Sequence, residues 1–167
     1  GDLDVIETTE VGLILEPVRI WDNSNGLGYF IDTYGTSDSR FPPFERAQNL
    51  ITVGDVTGDG APDIATATAN DQPQLFLNDG SGHFRFPNSE DEAGLPDLVD
   101  RMSARDMVFA DLDDDGDLDL FIASIDVGFA SPHDQLLINL NGRGRFVVGN
   151  SGPVTGIPLR RNSSGTV

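Results

Sequence analysis

Short apolar runs separated by polar turns predict an all-β chain. The runs are rich in β-branched and aromatic residues, for example IATATA at 64–69, QLFLN at 74–78 and LFIAS at 120–124. Runs of this length that are bounded by Gly, Asp, Asn and Pro are typical of β-strands. The stretches NDGSG at 78–82 and NLNGRG at 139–144 have the composition of hairpin turns, in which backbone φ is often positive.

The same two-part pattern occurs three times along the chain. GDVTGDGAPD at 54–63 and ADLDDDGDLD at 110–119 each lead into an apolar run, and GDLD at 1–4 repeats the end of the second stretch. Each copy continues with a second apolar run and a glycine-rich turn that ends at Phe30, Phe84 or Phe146. A unit of about four strands repeated every roughly 50–60 residues predicts β-propeller blades, with a solenoid of sheets as the weaker alternative.

We therefore expect β-propeller blades of about four antiparallel strands each, with roughly three blades in one continuous segment. The repeats are placed at 1–49, which starts inside its acidic loop, at 50–105 and at 106–167. In each blade one strand enters the acidic loop, one leaves it, and a hairpin pair surrounds the glycine turn. Because propellers close with about four to eight blades, we interpret the sequence as a fragment or as a protomer completed by neighbours.

Composition narrows the possible partners. The formal net charge is -18, with 28 acidic against 10 basic residues, and all ten basic residues are arginine. Nucleic acid and anionic membrane surfaces are poor partners for such a chain, because both require a basic face. No apolar run approaches the ~20 residues of a membrane span, so no membrane insertion is expected. The absence of cysteine excludes disulfides and thiolate chemistry.

The acidic stretches have the spacing of a calcium site. Carboxylates at alternating positions of a tight loop, with a glycine at the bend, can converge on one hard cation. All-oxygen ligands suit Ca²⁺ better than the stricter octahedron of Mg²⁺ or the nitrogen and sulfur ligands of Zn²⁺. The candidate ligands are Asp111, Asp113, Asp115, the carbonyl of Asp117 and Asp119 in the third copy, and Asp55, Thr57, Asp59, the carbonyl of Ala61 and Asp63 in the second.

These sites are not expected to be equal. Thr57 replaces a carboxylate with a hydroxyl, which predicts weaker binding in the second copy. The first copy retains only the Asp2 carbonyl and Asp4, so we expect two complete calcium sites and a third partial one. An EF-hand is excluded because its twelfth position must be Glu, whereas Ile122 and Thr66 stand there within predicted strands. The alternative, ordinary Asp-Gly surface turns, is disfavoured because the complete pattern occurs twice and each copy leads into a strand.

The combination of acidic loop, strand and LFLNDGSGHF at 75–84 resembles the FG-GAP/VCBS repeat, the calcium-bearing blade also found in integrin α-subunit propellers and bacterial surface proteins. The stretch SEDEAGLP at 89–96 is similar to inter-blade sequence in that group. The resemblance implies a calcium-stabilised β-propeller that is extracellular or at the cell surface and works in adhesion or ligand binding. The sequence departs from the family at Thr57, in the short first loop and in a long segment at 126–135.

Two function classes follow. The first is a non-catalytic extracellular calcium-binding module for adhesion, for recognition of a protein or carbohydrate ligand, or for assembly. The alternative is a propeller segment of a larger secreted lyase or hydrolase whose catalytic residues lie outside this chain. No catalytic residues are predicted here, because no Ser-His-Asp pattern or phosphate-binding glycine loop is present. Self-association through open blade edges is a third expectation, since unpaired strands recruit partners.

Overall fold

The computed structural model describes residues 3–8, 10–11, 14–15, 18–33, 40–42, 49–88, 93–98, 102–125 and 134–149. The elements named within these ranges are all β-strands, as the apolar runs predict. In chain order they are β1 Val5–Glu7, β2 Glu10–Val11, β3 Ile14–Leu15, β4 Arg19–Asp22, β5 Ile31–Asp32, β6 Leu50–Gly54, β7 Asp63–Ala67, β8 Ala69–Asp71, β9 Gln74–Asn78, β10 Phe84–Arg85, β11 Met102–Ala110, β12 Asp119–Ser124, β13 Gln135–Asn139 and β14 Phe146–Val148.

Three antiparallel sheets form successive blades. Blade 1 has the strand order β1-β4-β5, blade 2 has β10-β9-β7-β6, and blade 3 has β14-β13-β12-β11-β8. β2 and β3 form a separate two-stranded pair. Among the described residues, no helix has the length and apolar character that crossing a bilayer requires. The all-β architecture of open, propeller-like blades predicted from the sequence is confirmed.

The order of strands within a blade places each acidic loop at a strand-to-strand connection. In blade 2, β6 enters the loop and β7 leaves it, and Gly54 pairs with Asp63 across its base. In blade 3, Ala110 of β11 pairs with Asp119 of β12 in the same way. The hairpins β9–β10 and β13–β14 then surround the two glycine-rich turns. Both loops therefore lie at the same place in their blades.

Blade 3 carries one strand more than the sequence predicts. β8 leaves blade 2 and pairs antiparallel with the first residues of β11. β11 can accept this partner because it extends beyond the end of β12 and shifts register between Ala104 and Asp106. The change of repeat that the sequence places at 105–106 thus falls inside a continuous strand. The pairing of β8 with β11 connects blade 2 to blade 3 through backbone hydrogen bonds, in addition to the side-chain packing between the two blades.

Blade 2 is buried on both faces. Successive residues of a strand point to opposite faces, so Ile64 packs toward blade 1 and Ala65 toward blade 3. All five residues of β7 are buried, which accounts for the lack of apolar–polar alternation in its sequence. Between blades 1 and 2, Phe41 packs edge-on against Phe76, with the ring centroids 5.0 Å apart. The main cluster lies between blades 2 and 3 and includes Val56, Leu75, Leu77, Met107, Phe109, Leu120, Ile122, Leu137 and Phe146.

The connection that enters each of blades 2 and 3 docks on the glycine turn of that blade. The carbonyl of Arg40 accepts a 2.7 Å hydrogen bond from the N–H of Phe84. The carbonyl of Gly94 accepts a 3.1 Å bond from the N–H of Phe146, and the Gly94 N–H donates to Gly144 at 2.9 Å. In both connections the docked residue is followed by an apolar residue and a proline. These hydrogen bonds attach each connection to the last residues of the glycine turn of its blade.

Candidate metal centre

The blade-3 loop, residues 111–119, gathers three carboxylates at one point. One oxygen from each of Asp111, Asp113 and Asp115 lies within 4.8 Å of the other two, and all three side chains are exposed. Asp111 organises the loop, since its two oxygens accept the N–H groups of Asp114 at 2.8 Å and Gly116 at 3.1 Å. The convergence predicted from the alternating spacing is therefore present in this loop.

The blade-2 loop, residues 55–63, is folded in the same way. Asp55 accepts the N–H groups of Gly58 at 2.7 Å and Gly60 at 2.8 Å. Gly58 has a φ of 71°. Asp114, at the corresponding position of the blade-3 loop, is also left-handed, with a φ of 65°. The alternating spacing of the ligands leaves Asp114 outside their register, so its carboxylate is expected to be a solvated charge. Its backbone supplies the left-handed bend, which Asp tolerates better than most residues.

The last aspartate of each loop is buried at its base. Asp63 and Asp119 are both 0% exposed. One oxygen of Asp119 accepts the N–H of Leu112 at 3.0 Å and the other accepts that of Asn139 at 2.9 Å. Asp63 makes the equivalent bonds to Val56 at 3.1 Å and to Asn78 at 2.9 Å. A carboxylate oxygen has a second lone pair, so these bonds leave capacity for a cation, and the ligand role of both residues stays a prediction.

Charge repulsion is concentrated in the blade-3 loop. Burial raises the pKa of Asp119, and repulsion from Asp115 and Asp111 raises it further, against the lowering effect of its backbone hydrogen bonds. Desolvation also raises the pKa of Asp113, with further contributions from Asp119 and Asp115. In the blade-2 loop, burial raises the pKa of Asp63, and the charge of Asp59 adds to this effect. A cation bound among these groups would relieve the repulsion.

An orphaned hydroxyl supports the fit of a hard cation in the blade-2 loop. The Oγ1 atom of Thr57 is buried and has no hydrogen-bond partner among the described residues. Buried polar atoms are normally paired, because an unpaired one costs about 1–3 kcal/mol. Thr57 occupies the second ligand position of the predicted set, between Asp55 and Asp59. The oxygen-only donors of both loops thus suit a cation of the calcium type.

The remaining predicted ligands of the two complete loops are the backbone carbonyls of Ala61 and Asp117. The N–H groups of Ala61 and Asp117 donate to Asp59 at 2.8 Å and to Asp115 at 2.9 Å. Ligation by the carbonyls of these two residues stays a prediction. The carboxylate of Asp117 lies against Gly142 in the glycine turn of the same blade, in space that a side chain at position 142 would need.

In the first copy, Asp4 is paired with an arginine. Its Oδ2 lies 3.3 Å from one terminal nitrogen of Arg40, whose other terminal nitrogen contacts Asp22 at 2.7 Å. A guanidinium therefore supplies positive charge beside the carboxylate that the sequence assigns to a partial calcium site. Asp2 lies outside the described residues.

A repeated contact between the acidic loops and the glycine turns was missed in the sequence. In every blade the asparagine at the start of the glycine turn donates its backbone N–H to Oδ1 of the aspartate that leads into the second strand. Its side-chain amide donates to the carbonyl preceding that aspartate, and its Oδ1 accepts the N–H of a turn glycine. We call this arrangement the Asp–Asn latch; its pairs are Asp4 with Asn23, Asp63 with Asn78, and Asp119 with Asn139. The recurrence of asparagine at this turn position is the signal that could have revealed it.

Comparison with known proteins agrees with the repeat seen in the sequence. Residues 55–122 match a family model described as an FG-GAP-like repeat. The match begins at Asp55, the first candidate ligand of the blade-2 loop, and ends in β12, so it contains both complete acidic loops. No curated protein matches the chain. The resemblance noted in the sequence is thereby confirmed over residues 55–122, where this all-β chain is similar to an FG-GAP-like repeat.

Proposed function

We propose that this chain is a non-catalytic, calcium-binding propeller module that works outside the cell in recognition or assembly. The FG-GAP-like repeat supports a module of the β-propeller type. The observation that carries the calcium proposal is the convergence of Asp111, Asp113 and Asp115, whose oxygens lie within 4.8 Å of one another. Three exposed carboxylates this close repel one another unless a cation lies among them.

The two complete loops would hold one ion each. In the blade-3 loop the ion would be held by Asp111, Asp113, Asp115 and Asp119, with the carbonyl of Asp117. In the blade-2 loop it would be held by Asp55, Thr57, Asp59 and Asp63, with the carbonyl of Ala61. Calcium accepts about six to eight oxygen ligands at ~2.3–2.6 Å, so water would complete each shell. When bound, the ion supplies positive charge that neutralises the carboxylates and fixes the loop.

The role of calcium is structural in this proposal. Asp55 and Asp111 curl their loops by accepting backbone N–H groups, and Asp63 and Asp119 fasten the loops to the glycine turns through the Asp–Asn latch. Fixing the loop therefore also fixes the strand pair that it joins and the hairpin that packs beside it. The expected result is a stiffer blade edge that can present a binding face.

Calorimetry on the metal-free chain tests the calcium proposal. Titration with CaCl2 should show two bound ions per chain, and at a hundredfold excess over Kd each ion should raise the free energy of unfolding by about 2.7 kcal/mol. MgCl2 is the matched control and should bind more weakly. The absence of binding heat, together with an equal melting temperature in calcium and in chelator, would rule out the proposal.

An apolar patch on blade 1 supports the assembly part of the proposal. Leu27, Tyr29, Phe30 and Ile31 are 86%, 68%, 41% and 48% exposed, respectively. The corresponding Phe146 of blade 3 is 3% exposed: its ring packs in the cluster between blades 2 and 3, and its N–H bonds to the connection at Gly94. The patch on blade 1 would accept a similar extended segment from another blade or from a protein partner.

Light scattering tests this assembly. In calcium the unsubstituted chain should show a mass above that of a monomer, and the double substitution Tyr29→Ser with Phe30→Ser should reduce it. The matched control is Val53→Ser, which removes another apolar side chain that is 49% exposed but lies outside the patch. A monomer under all conditions would contradict self-association and leave an external ligand as the occupant of the patch.

A further inference from the structure

We infer that Asn139 is a positioning residue that couples the calcium loop of blade 2 to that of blade 3. This inference rests on the proposed calcium function. The side-chain Nδ2 of Asn139 donates a 2.9 Å hydrogen bond to the carbonyl of Val56, a residue of the blade-2 loop. Asn139 is 0% exposed, so this contact is shielded from water.

Both backbone polar groups of Val56 are hydrogen-bonded. Its N–H donates to Oδ2 of Asp63 at 3.1 Å, and its carbonyl accepts the bond from Asn139. Val56 is 1% exposed and stands between the candidate ligands Asp55 and Thr57. The peptide that leads from Val56 into Thr57 is thus oriented by a residue of the next blade. We expect this orientation to decide where the Thr57 hydroxyl points.

Other residues of the blade-3 glycine turn also lie against the blade-2 loop. A Cβ atom added at Gly144 would lie 3.4 Å from Cγ2 of Val56 and 3.6 Å from Cγ2 of Thr57. A Cβ atom added at Gly58 would lie 3.1 Å from the carbonyl oxygen of Gly142. The approach of the Gly58 and Gly142 backbones is favoured because neither residue has a side chain. The turn of blade 3 therefore contacts the blade-2 loop over residues 56–58.

The same asparagine belongs to the Asp–Asn latch of its own blade. Its backbone N–H donates to Oδ1 of Asp119 at 2.9 Å, and its Nδ2 also lies 3.3 Å from the carbonyl of Leu118. One buried side chain therefore contacts the second residue of one loop and the base of the other. An ion that fixes either loop restrains Asn139 and lowers the cost of ordering the other loop. Such coupling is reciprocal and makes calcium binding at the two sites positively cooperative.

The first experiment measures the calcium affinity of the blade-2 loop alone. In a chain carrying Asp111→Asn and Asp113→Asn, the blade-3 loop lacks two carboxylates, so titration with CaCl2 reports the blade-2 loop. Adding Asn139→Ala to this background should weaken calcium binding about fivefold to tenfold, the range expected for losing a buried hydrogen bond. An unchanged affinity would overturn the inference, because Asn139 would then act only within its own blade.

A second variant leaves Asn139 in place and covers the case in which Asn139→Ala does not fold. Gly144→Leu, in the same background, places a large side chain where a Cβ atom alone would already be in ordinary contact with Val56 and Thr57, so it should displace them and also weaken calcium binding. The matched control is Gly28→Leu at the equivalent turn position of blade 1. Gly28 has a φ of 79°, close to the 77° of Gly144, but a Cβ there would meet nothing within 4 Å. Equal affinities for the two leucine variants would contradict the inference.

The coupling between the two loops can also be measured directly, as the effect of an intact blade-3 loop on the calcium affinity of the blade-2 loop. The blade-2 loop should bind calcium more tightly when the blade-3 loop is intact, and Asn139→Ala should abolish that difference. A double-mutant cycle over Asn139 and the pair Asp111 with Asp113 measures this difference. If the unsubstituted chain binds no calcium, the proposed function fails and the coupling fails with it. If it binds two ions whose affinities are independent, only the coupling is overturned.

Discussion

Asp119 and Asn139 lie 20 positions apart in the chain, yet Oδ1 of Asp119 accepts a 2.9 Å hydrogen bond from the backbone N–H of Asn139. The other oxygen of Asp119 accepts the N–H of Leu112 at 3.0 Å. The carboxylate therefore fastens the loop to the strand that follows it and to the hairpin beside it. This arrangement assigns Asp119 a role in folding that does not depend on a bound ion.

Replacing this carboxylate should destabilise the metal-free chain. In Asp119→Asn, one side-chain oxygen can still accept an N–H, but the new amide group faces the other N–H, donor against donor. We expect a loss of about 1–3 kcal/mol in the free energy of unfolding, measured by urea denaturation in chelator. Asp114→Asn is the matched control, because Asp114 is exposed and Asn tolerates its φ of 65°. Equal effects of the two substitutions would show that the buried bonds do not contribute.

Replacing Asp113, unlike replacing Asp119, should not destabilise the metal-free chain. Desolvation and the charges of Asp119 and Asp115 raise the pKa of Asp113, so its ionised form is disfavoured in the metal-free loop. Asp113→Asn should therefore leave the melting temperature in chelator unchanged or higher, while it weakens calcium binding roughly tenfold or more by removing a charged ligand. Melting curves in chelator and calorimetry with CaCl2 give the two values. A lower melting temperature in chelator would show that Asp113 has a structural role that the contacts do not reveal.

Local pattern was sufficient to predict the strands and the loops. The sequence around Gly60 and Gly116 predicts an acidic loop between two strands, and β6–β7 and β11–β12 have that arrangement. The convergence of Asp111, Asp113 and Asp115 also follows from spacing alone, because alternating side chains of one tight loop lie close together whatever surrounds them.

Contacts between distant segments could not be predicted in this way. The local pattern predicts Asn78 and Asn139 as turn formers, which is correct, but their bonds to Asp63 and Asp119 depend on how the hairpin packs beside the loop. The pairing of β8 with β11 depends on the length by which β11 exceeds its neighbour. The contact between Arg40 and Asp4 joins residues from separate parts of the chain, and no local pattern indicates it.

The orphaned hydroxyl of Thr57 gives a test that separates binding from stability. Thr57→Val keeps the shape of the side chain and removes the unpaired oxygen. In chelator it should leave the free energy of unfolding unchanged or raise it by about 1 kcal/mol, because an unsatisfied buried polar atom is lost. Calcium binding at the blade-2 loop should weaken, as calorimetry would show.

Two control substitutions separate the effect of Thr57→Val on calcium binding from its effect on stability. Thr57→Ser keeps a hydroxyl at the same position and should retain most of the calcium affinity. Thr66→Val removes another buried hydroxyl that has no hydrogen-bond partner in the described part of the chain, but Thr66 is 0% exposed within β7 and lies outside the loop. It should change stability in the same direction as Thr57→Val and leave calcium binding unchanged. Equal calcium affinity in Thr57→Val and Thr66→Val would mean that the Thr57 hydroxyl is not a ligand.

The pH dependence of stability should reverse when calcium is present. Burial raises the pKa of both Asp63 and Asp119 above the ordinary value of 3.8. A carboxyl group with a raised pKa in the folded state binds its proton more tightly there than in the unfolded chain. Its stabilising contribution is complete below pH 3.8 and is lost as the pH rises through the raised value. The metal-free chain should therefore melt at a lower temperature at pH 7 than at pH 4, close to the ordinary value.

With saturating calcium the order should change, because protons compete with the ion for the same carboxylates. Melting curves of the chain at pH 4 and pH 7, in metal-depleted buffer and in excess CaCl2, measure both trends. The Asp79 carboxyl provides an internal contrast: hydrogen bonds from Ser81 lower its pKa, so its contribution is lost mainly as the pH falls below 3.8, and Asp79→Asn should leave most of the difference between pH 4 and pH 7 in metal-depleted buffer in place. A metal-free chain that melts at a higher temperature at pH 7 than at pH 4 would show that the two buried carboxylates do not govern its stability.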